Sequence, residues 1–450
     1  MDWIKQHLLK PGYKTLREVW RKTENAVKFR QHLSSVPQIE LPEQQNVLLL
    51  VVDCLRADHV SRVGYNRQTT PFLDKHGECT TAISAAPWTY PAVPSILTGR
   101  YPHNHGAVFS EELRHEGQMG TVRTLVDDAY TLPELLVVAG YNSFFATAIP
   151  TAEISMRGRL PSREISQHAP ADWLTDRFLD WWDDQQSPRF GYVHFGDLHD
   201  PLSIPEREPF GTIPDIEGID RWRFTDTIKP TDEFEQFRRE RIKLYDTNIR
   251  EIDAQIERIY QHLANIGDLK NTLIIVTGDH GEEFWEWAEL ERERFYSPRG
   301  IYGVGHGHAL FPEITDVPLI MINGQTTIKQ DLVSTIDILP TILKELGASV
   351  DKVDKIDGQP ISKHQDGRVL LSEEIAYGYN QAAVIKGKNH LIHSPHDEET
   401  LLLDRSTGEL MSDSETIEDL LAFTQYEQRS GDMTEIDEKT QQQLADLGYR

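Results

Sequence analysis

The stretch 46-NVLLLVVD-53 sets six apolar residues in a row before a closing aspartate. A strand wetted on one face alternates apolar and polar side chains, whereas an unbroken apolar run of this length reads as a strand buried on both faces. Two more runs are built alike, 189-RFGYVHFGDLHDP-201 and 271-NTLIIVTGDHGEE-283, and all three close on acidic or histidine residues. Sheets of parallel type gather functional groups at the carboxyl ends of their strands, where loops converge. Asp53, then Asp197 and His199, then Asp279 and His280 are therefore expected in one cleft. Helical stretches lie between the runs: 176-DRFLDWWDD-184, and 245-YDTNIREIDAQIERIYQHLANIG-267 with its stripe of Ile249, Ile252, Ile256, Ile259 and Leu263. Alternating strand and helix define an α/β chain.

Asp53, Asp279 and His280 offer two carboxylates and one imidazole, which suit Zn²⁺ or Mn²⁺ better than Ca²⁺, whose shells are all oxygen. An aspartate at a strand end also caps a following helix, and each residue alone fits that simpler role. A third feature is 86-APWTYPAVPSILTGRYPHNHG-106, where Thr89 precedes Pro91 and Pro94 at the expected start of a short helix. The free N–H groups of such a start favour an anion, and a plain N-cap threonine is the alternative.

The chain has 450 residues, with 72 acidic against 46 basic side chains and a formal charge of -26, which argues against a nucleic-acid partner. Such a surface is heavily solvated, of the kind a salt-rich cytoplasm selects. Cys54 and Cys79 are too few for a disulfide framework, so a reducing interior is expected. No run is long enough to span a membrane, and residues 1–30 lack the apolar core of a signal peptide, so a cytoplasmic location is expected. Residues 1–33 carry eight Lys/Arg against three Asp/Glu, with Leu16, Val19, Trp20, Thr23 and Val27 at helical spacing. This segment reads either as a helix packed on the main domain or as a helix in reversible contact with the inner membrane face. A linker, 34-SSVPQIELPEQQ-45, follows.

Taken in order, 46-NVLLLVVDCLRADHVSRVGYNRQTTPFLDKHG-77, 89-TYPAVPSILTGRYPHNHG-106, 272-TLIIVTGDHGEEF-284 and 305-GHGHALFPEITDVPLIM-321 resemble four segments of one family. They are similar to the opening, the nucleophile signature, the second metal strand and the segment after it in the sulfatase family of the alkaline phosphatase superfamily. The stretches 390-HLIHSPHDEETLLLDRSTGE-409 and 444-LADLGYR-450 resemble that family's C-terminal ending. The resemblance implies an alkaline-phosphatase-like α/β fold, a large mixed sheet flanked by helices with a small C-terminal antiparallel sheet. The expected divisions are 1–43 (basic helix and linker), 44–345 (catalytic domain), 346–411 (small subdomain) and 412–450 (acidic helical tail). The polar insertions 203–235 and 282–304 are the natural places for substrate selection.

The resemblance places metal ligands on Asp53, Asp279 and His280 and the nucleophile on Thr89. Sulfatases carry Cys or Ser, converted to formylglycine, in a Cys/Ser-x-Pro-x-Arg signature. Here Thr89 cannot be converted, and Val93 stands in place of the arginine. Cys54 occupies the place of a second aspartate, and 140-GYNSFFATAIPTAE-153 has no Gly-Lys-Trp-His stretch. The superfamily's threonine-nucleophile branches, which include lipid-linked phosphoglycerol and phosphoethanolamine transferases and nucleotide pyrophosphatases, imply direct attack by Thr89. A divalent metal ion, Zn or Mn rather than Ca or Mg, would activate that hydroxyl as a further ligand.

Three functions follow: a transferase moving a sulfuryl or phosphoryl group to a sugar or lipid-linked glycan, a hydrolase of sulfate or phosphate esters, or a silent binding protein. The presence of Asp53, Thr89, Asp279 and His280 argues against the last. His199 resembles the family's substrate-binding histidine, while His306 and His308 are candidates to protonate a leaving oxygen or bind a second cation. Arg56 and Asp197 are candidate substrate-binding residues, Arg56 with Asp58 orienting its loop and Asp197 also a candidate second-metal ligand. His103 and His105 read as structural.

Overall fold

The computed structural model describes residues 27–109, 121–204, 207–225, 229–325, 327–328, 332–353, 355–363, 365–436 and 440–442. The three apolar runs are adjacent strands of an eight-stranded sheet. Its strands are β1 (Asn46–Val52), β2 (Glu78–Ile83), β3 (Asn142–Thr147), β4 (Ser162–Ile165), β5 (Arg189–Phe195), β6 (Thr272–Gly278), β7 (Asp316–Ile322) and β8 (Val333–Ser334). They lie in the order β8-β2-β7-β6-β1-β5-β3-β4. β1 runs parallel to β5 and β6, with Val52 opposite both Phe195 and Gly278. That register delivers Asp53, the loop after Phe195 and Asp279 to the same edge. β7 is antiparallel to β6 and β2, which makes the sheet mixed.

Every residue of β1 is buried, because the sheet is covered on both faces. Val47, Leu49 and Val51 point into one core, with α1 (Thr89–Thr98) supplying Val93, Ile96 and Leu97. Leu48, Leu50 and Val52 point into the other, against Phe178 and Trp182 of α2 (Ala171–Asp184) and the expected Ile249-to-Leu263 stripe of α3 (Asp232–Asn265). Each such buried aliphatic contributes about 1.5–3 kcal/mol. The start of α3 is fixed by Thr231, whose side chain accepts from Phe234 N–H, and by Asp232, Glu233 and Glu235 in its positive first turn. α1 stops at Gly99, which has φ +66 and donates its N–H to Ser95 O.

The small sheet is an antiparallel meander of β9 (Val369–Glu373), β10 (Ala382–Lys386), β11 (Asn389–Ser394), β12 (Glu399–Asp404) and β13 (Glu409–Met411). Upstream of β9, Leu346, Val353 and Ile361 still pack in the core around α1. Downstream, the helix Ser414–Leu421 lays Leu420 on the small sheet, and Met433–Glu435 pairs with Thr121–Arg123 of the large domain. Ile436 enters the large core, so the chain beyond residue 411 folds back onto the domain as far as it is described there. The basic stretch up to residue 26 and the 444-LADLGYR-450 motif lie outside the described residues. Residues 27–33 are helical, with Phe29 buried and the Lys28 stem against Gly158. Among the described residues no helix is long and apolar enough to cross a membrane.

Candidate functional site

At the shared strand edge, Thr89 Oγ1 donates to Asp53 Oδ1 at 2.9 Å and lies 3.2 Å from His280 Nε2. Trp88, with extended φ and ψ, is the N-cap of α1, and Thr89 is its first helical residue. The threonine hydroxyl therefore does not cap its helix and is turned to the strand ends instead. His280 Nε2 also lies 3.6 Å from Asp53 Oδ1 and 3.7 Å from Asp279 Oδ2. Its Nδ1 sits 2.8 Å from Gly281 O, which makes Nδ1 the protonated nitrogen and leaves the Nε2 lone pair facing the cluster. All four side chains are fully buried.

Burial opposes charge on Asp279, yet His280 and His194 hold its carboxyl well below the ordinary range. Burial likewise opposes a proton on His280, but Asp279 and Asp53 raise its pKa. Asp279 Oδ2 and His194 Nε2 lie 3.5 Å apart, and both are buried without a hydrogen-bond partner. Leaving such groups unpaired costs several kcal/mol on the harsher transfer scales. The ligand atoms of Asp53, Asp279 and His280 lie within 4.8 Å of one another, and a divalent cation among them would satisfy the orphaned oxygen. This donor set fits Zn²⁺ or Mn²⁺.

His194, inside β5, escaped the sequence reading. Its signal was its place as the one imidazole within the otherwise apolar and aromatic interior of that strand. Cys54 follows Asp53 with φ +59, a region unfavourable to a side chain, and Tyr245 holds it there by donating to Cys54 O at 2.6 Å. The Cys54 thiol donates to Asp53 Oδ2 at 3.2 Å and lies 3.4 Å from His306 Nδ1; burial and then Asp53 push its pKa up.

The structure brings His306 against His280, with ring centroids 4.4 Å apart, and His199 against His306 at 5.1 Å. His306 Nδ1 is 3.3 Å from Glu282 Oε1, while His199 Nε2 is buried without a partner. Three candidates are placed elsewhere. Arg56 is committed to Asp58, to Glu286 at 2.8 Å and to Glu282 O at 3.0 Å, so its guanidinium braces the loop instead of waiting for an anion. Asp197 accepts from Ala171 N–H at 3.0 Å at the start of α2, and burial pushes its carboxyl up to about 6. His308 is turned away by Gly307, at φ +76, and its Nε2 lies 3.2 Å from Glu283 and 3.3 Å from Glu291. His103 stacks on Tyr426 and pairs with Glu373, and His105 is buried against Ser95, both in structural roles.

A mixed sheet of this order, with carboxylates and histidines gathered at one edge beside a helix start, defines an α/β enzyme fold of alkaline phosphatase type. The sulfatase family model matches residues 45–348, and the chain belongs to the sulfatase family. It is 24% identical over 331 residues to the low-salt glycan biosynthesis sulfotransferase Agl7 of Haloferax volcanii, covering 72% of this chain and 66% of that protein. It is 25% identical over 355 residues to the ulvan-active sulfatase of Formosa agariphila, covering 69% and 53%. Among solved structures, BT4656 in complex with its substrate D-glucosamine-2-N,6-O-disulfate superposes with a TM-score of 0.64 at 16% identity, covering 90% of this chain and 99% of that one. The phosphonate monoester hydrolase of Agrobacterium radiobacter superposes with a TM-score of 0.60 at 20% identity, covering 90% and 96%.

Proposed function

We propose that this chain transfers a sulfuryl or phosphoryl group through Thr89, with a sugar or lipid-linked glycan as donor or acceptor. The observation that carries this reading is the Thr89 hydroxyl, turned away from its own helix and held between Asp53 Oδ1 and His280 Nε2. In the first step Thr89 Oγ1 bonds to the sulfur or phosphorus while the bond from that atom to the donor's bridging oxygen breaks. The hydroxyl proton leaves along the hydrogen bond to Asp53, and the departing oxygen takes a proton from Nε2 of doubly protonated His199, whose Nδ1 is held 2.7 Å from Asp200 O and whose Nε2 has no partner beside His306. In the second step the acceptor hydroxyl attacks the same atom and gives its proton to His199. Thr89 Oγ1 leaves and recovers its own proton. The first turn of α1 adds unpaired N–H groups toward the anionic group. Asp53, Asp279 and His280, with Thr89 as a further ligand, would hold a divalent cation, which would supply positive charge to lower the hydroxyl's pKa and offset charge on the group in transit.

Transfer to a glycan is favoured by the likeness to the Haloferax volcanii sulfotransferase and by a threonine that cannot form the aldehyde of the hydrolytic sulfatases. The second reading, hydrolysis of sulfate or phosphate esters, needs only water in place of the acceptor. It is supported by the likeness to the ulvan-active sulfatase. The test is to incubate purified protein with Zn²⁺ or Mn²⁺ and aryl sulfate or phosphate mono- and diesters, with and without sugar acceptors. Transfer predicts modified sugar and ester cleavage that rises with acceptor concentration. Cleavage indifferent to every acceptor would select hydrolysis, and no cleavage of any ester would sink both readings.

A further inference from the structure

The insertion that follows β6 carries a second cluster outside the site above. Glu283 lies on a two-residue strand, Glu283–Phe284, paired with Val304–Gly305, and Glu291 lies on the short helix Ala288–Arg294. Consecutive residues of an extended chain face opposite ways, so Glu282 meets His306 at the catalytic edge while Glu283 meets His308 behind it. Each carboxylate spends one oxygen on the backbone: Glu283 Oε1 accepts from Trp287 N–H at 2.8 Å, and Glu291 Oε2 from Gly303 N–H at 2.7 Å. The other two oxygens turn inward to His308 Nε2, at 3.2 Å from Glu283 and 3.3 Å from Glu291. Glu291 Oε1, on a residue only 2% exposed, accepts no hydrogen bond, and His308 Nδ1 is also buried without a partner. The ion pairs described for both glutamates are with His308 alone.

From this convergence we infer that Glu283, Glu291 and His308 form a second divalent-cation site, of Zn²⁺ or Mn²⁺ type, separate from the Asp53 cluster. One ligand atom from each residue lies within 4.8 Å of the other two, the donor set is two carboxylates and an imidazole, and all three residues are buried. Two buried carboxylates facing one imidazole are poorly matched in charge, since a protonated histidine offsets one of them and a divalent cation offsets both. The ion joins the strand, the helix and the Gly305–Ala309 turn of one insertion. It is a clip on the segment that presents Glu282 and His306 to the catalytic edge.

The test is metal content of the full chain, saturated with Zn²⁺ or Mn²⁺ alone, desalted and measured by elemental analysis. Glu291→Gln should carry one equivalent less than wild type, and Asp279→Asn should still hold the ion that Glu291→Gln loses. Anomalous scattering from crystals soaked in the same metal should show a peak between Glu283, Glu291 and His308, which reads the site without any variant. Equal metal content in wild type and Glu291→Gln, or a peak at Asp53 and Asp279 with none at His308, would overturn the inference. Because the readout is a count of ions, it stands apart from whether Thr89 carries a group.

Discussion

The cluster at the sheet edge and the cluster within residues 283–308 use the same kinds of side chain but assemble them from opposite sources. Asp53, Thr89, His194 and Asp279 are far apart in the chain and meet because three parallel strands and a helix deliver them to one edge. Glu283, Glu291 and His308 are close in sequence; the glutamates sit on elements of two and seven residues and His308 on an irregular bend. The first arrangement is set by a core that buries both faces of β1; the second has little regular structure to hold it. Geometry that the sheet imposes suits a reacting group that must not move, whereas short elements need a tie of their own.

Changes at five positions probe that contrast, beginning with the largest expected effect. Thr89→Ala should lower turnover at least about 1,000-fold with the fold intact by circular dichroism, while Thr89→Ser keeps part of it, because the proposed reaction runs through that hydroxyl. Asp279→Asn should lower activity and bound metal together, activity by at least about 100-fold, as read by parallel assays and elemental analysis. Full metal in that variant would remove Asp279 from the ligand set.

The three buried strands and their end residues were legible in the sequence because an apolar run closing on an acidic residue carries its own geometric meaning. Asp53, Asp279 and His280 stood out together at strand ends, while Thr89 was marked as a helix start by Pro91 and Pro94 and as the nucleophile only through the family resemblance. His194 was missed because a lone histidine within a buried strand looks like any core residue until its neighbours are known. Arg56, Asp197 and His308 lie beside the right motifs, but nearness in sequence does not fix which way a side chain turns. A left-handed Gly307 sends His308 away from His306, and a helix start claims Asp197. Distant pairing was equally hidden: Met433–Glu435 joins Thr121–Arg123 without any periodic signal in either stretch.

The remaining three changes act on stability. Leu49→Ala in β1 should cost about 3 kcal/mol in urea unfolding, since the fully buried side chain leaves a cavity in a covered sheet. Leu290→Ala in the insertion, where the side chain is partly buried, should cost under about 1.5 kcal/mol. Comparable losses at the two positions would contradict the contrast. The last effect is confined to higher pH and concerns Asp197, whose carboxyl burial pushes up to about 6 from an ordinary 3.8. Its contribution to stability is fully present below the unfolded value and is lost as pH rises through about 6. Asp197→Asn keeps an acceptor for Ala171 and removes that loss, so it should be more stable than wild type above pH 6, by on the order of 2 kcal/mol. Thermal melts at pH 5 and pH 8 measure the difference, and an equal effect at both would contradict the titration.

The most direct test of the central claim is to trap the group on Thr89. The metal-loaded protein is mixed with a sulfate or phosphate ester that it cleaves, quenched with acid without acceptor, and mapped by peptide mass spectrometry. The account predicts a sulfuryl or phosphoryl adduct on Thr89, absent from Thr89→Ala and discharged when a sugar acceptor or water is allowed to react before the quench. Steady turnover of the ester with Thr89 unmodified at every time point, and at the same rate in Thr89→Ala, would contradict it.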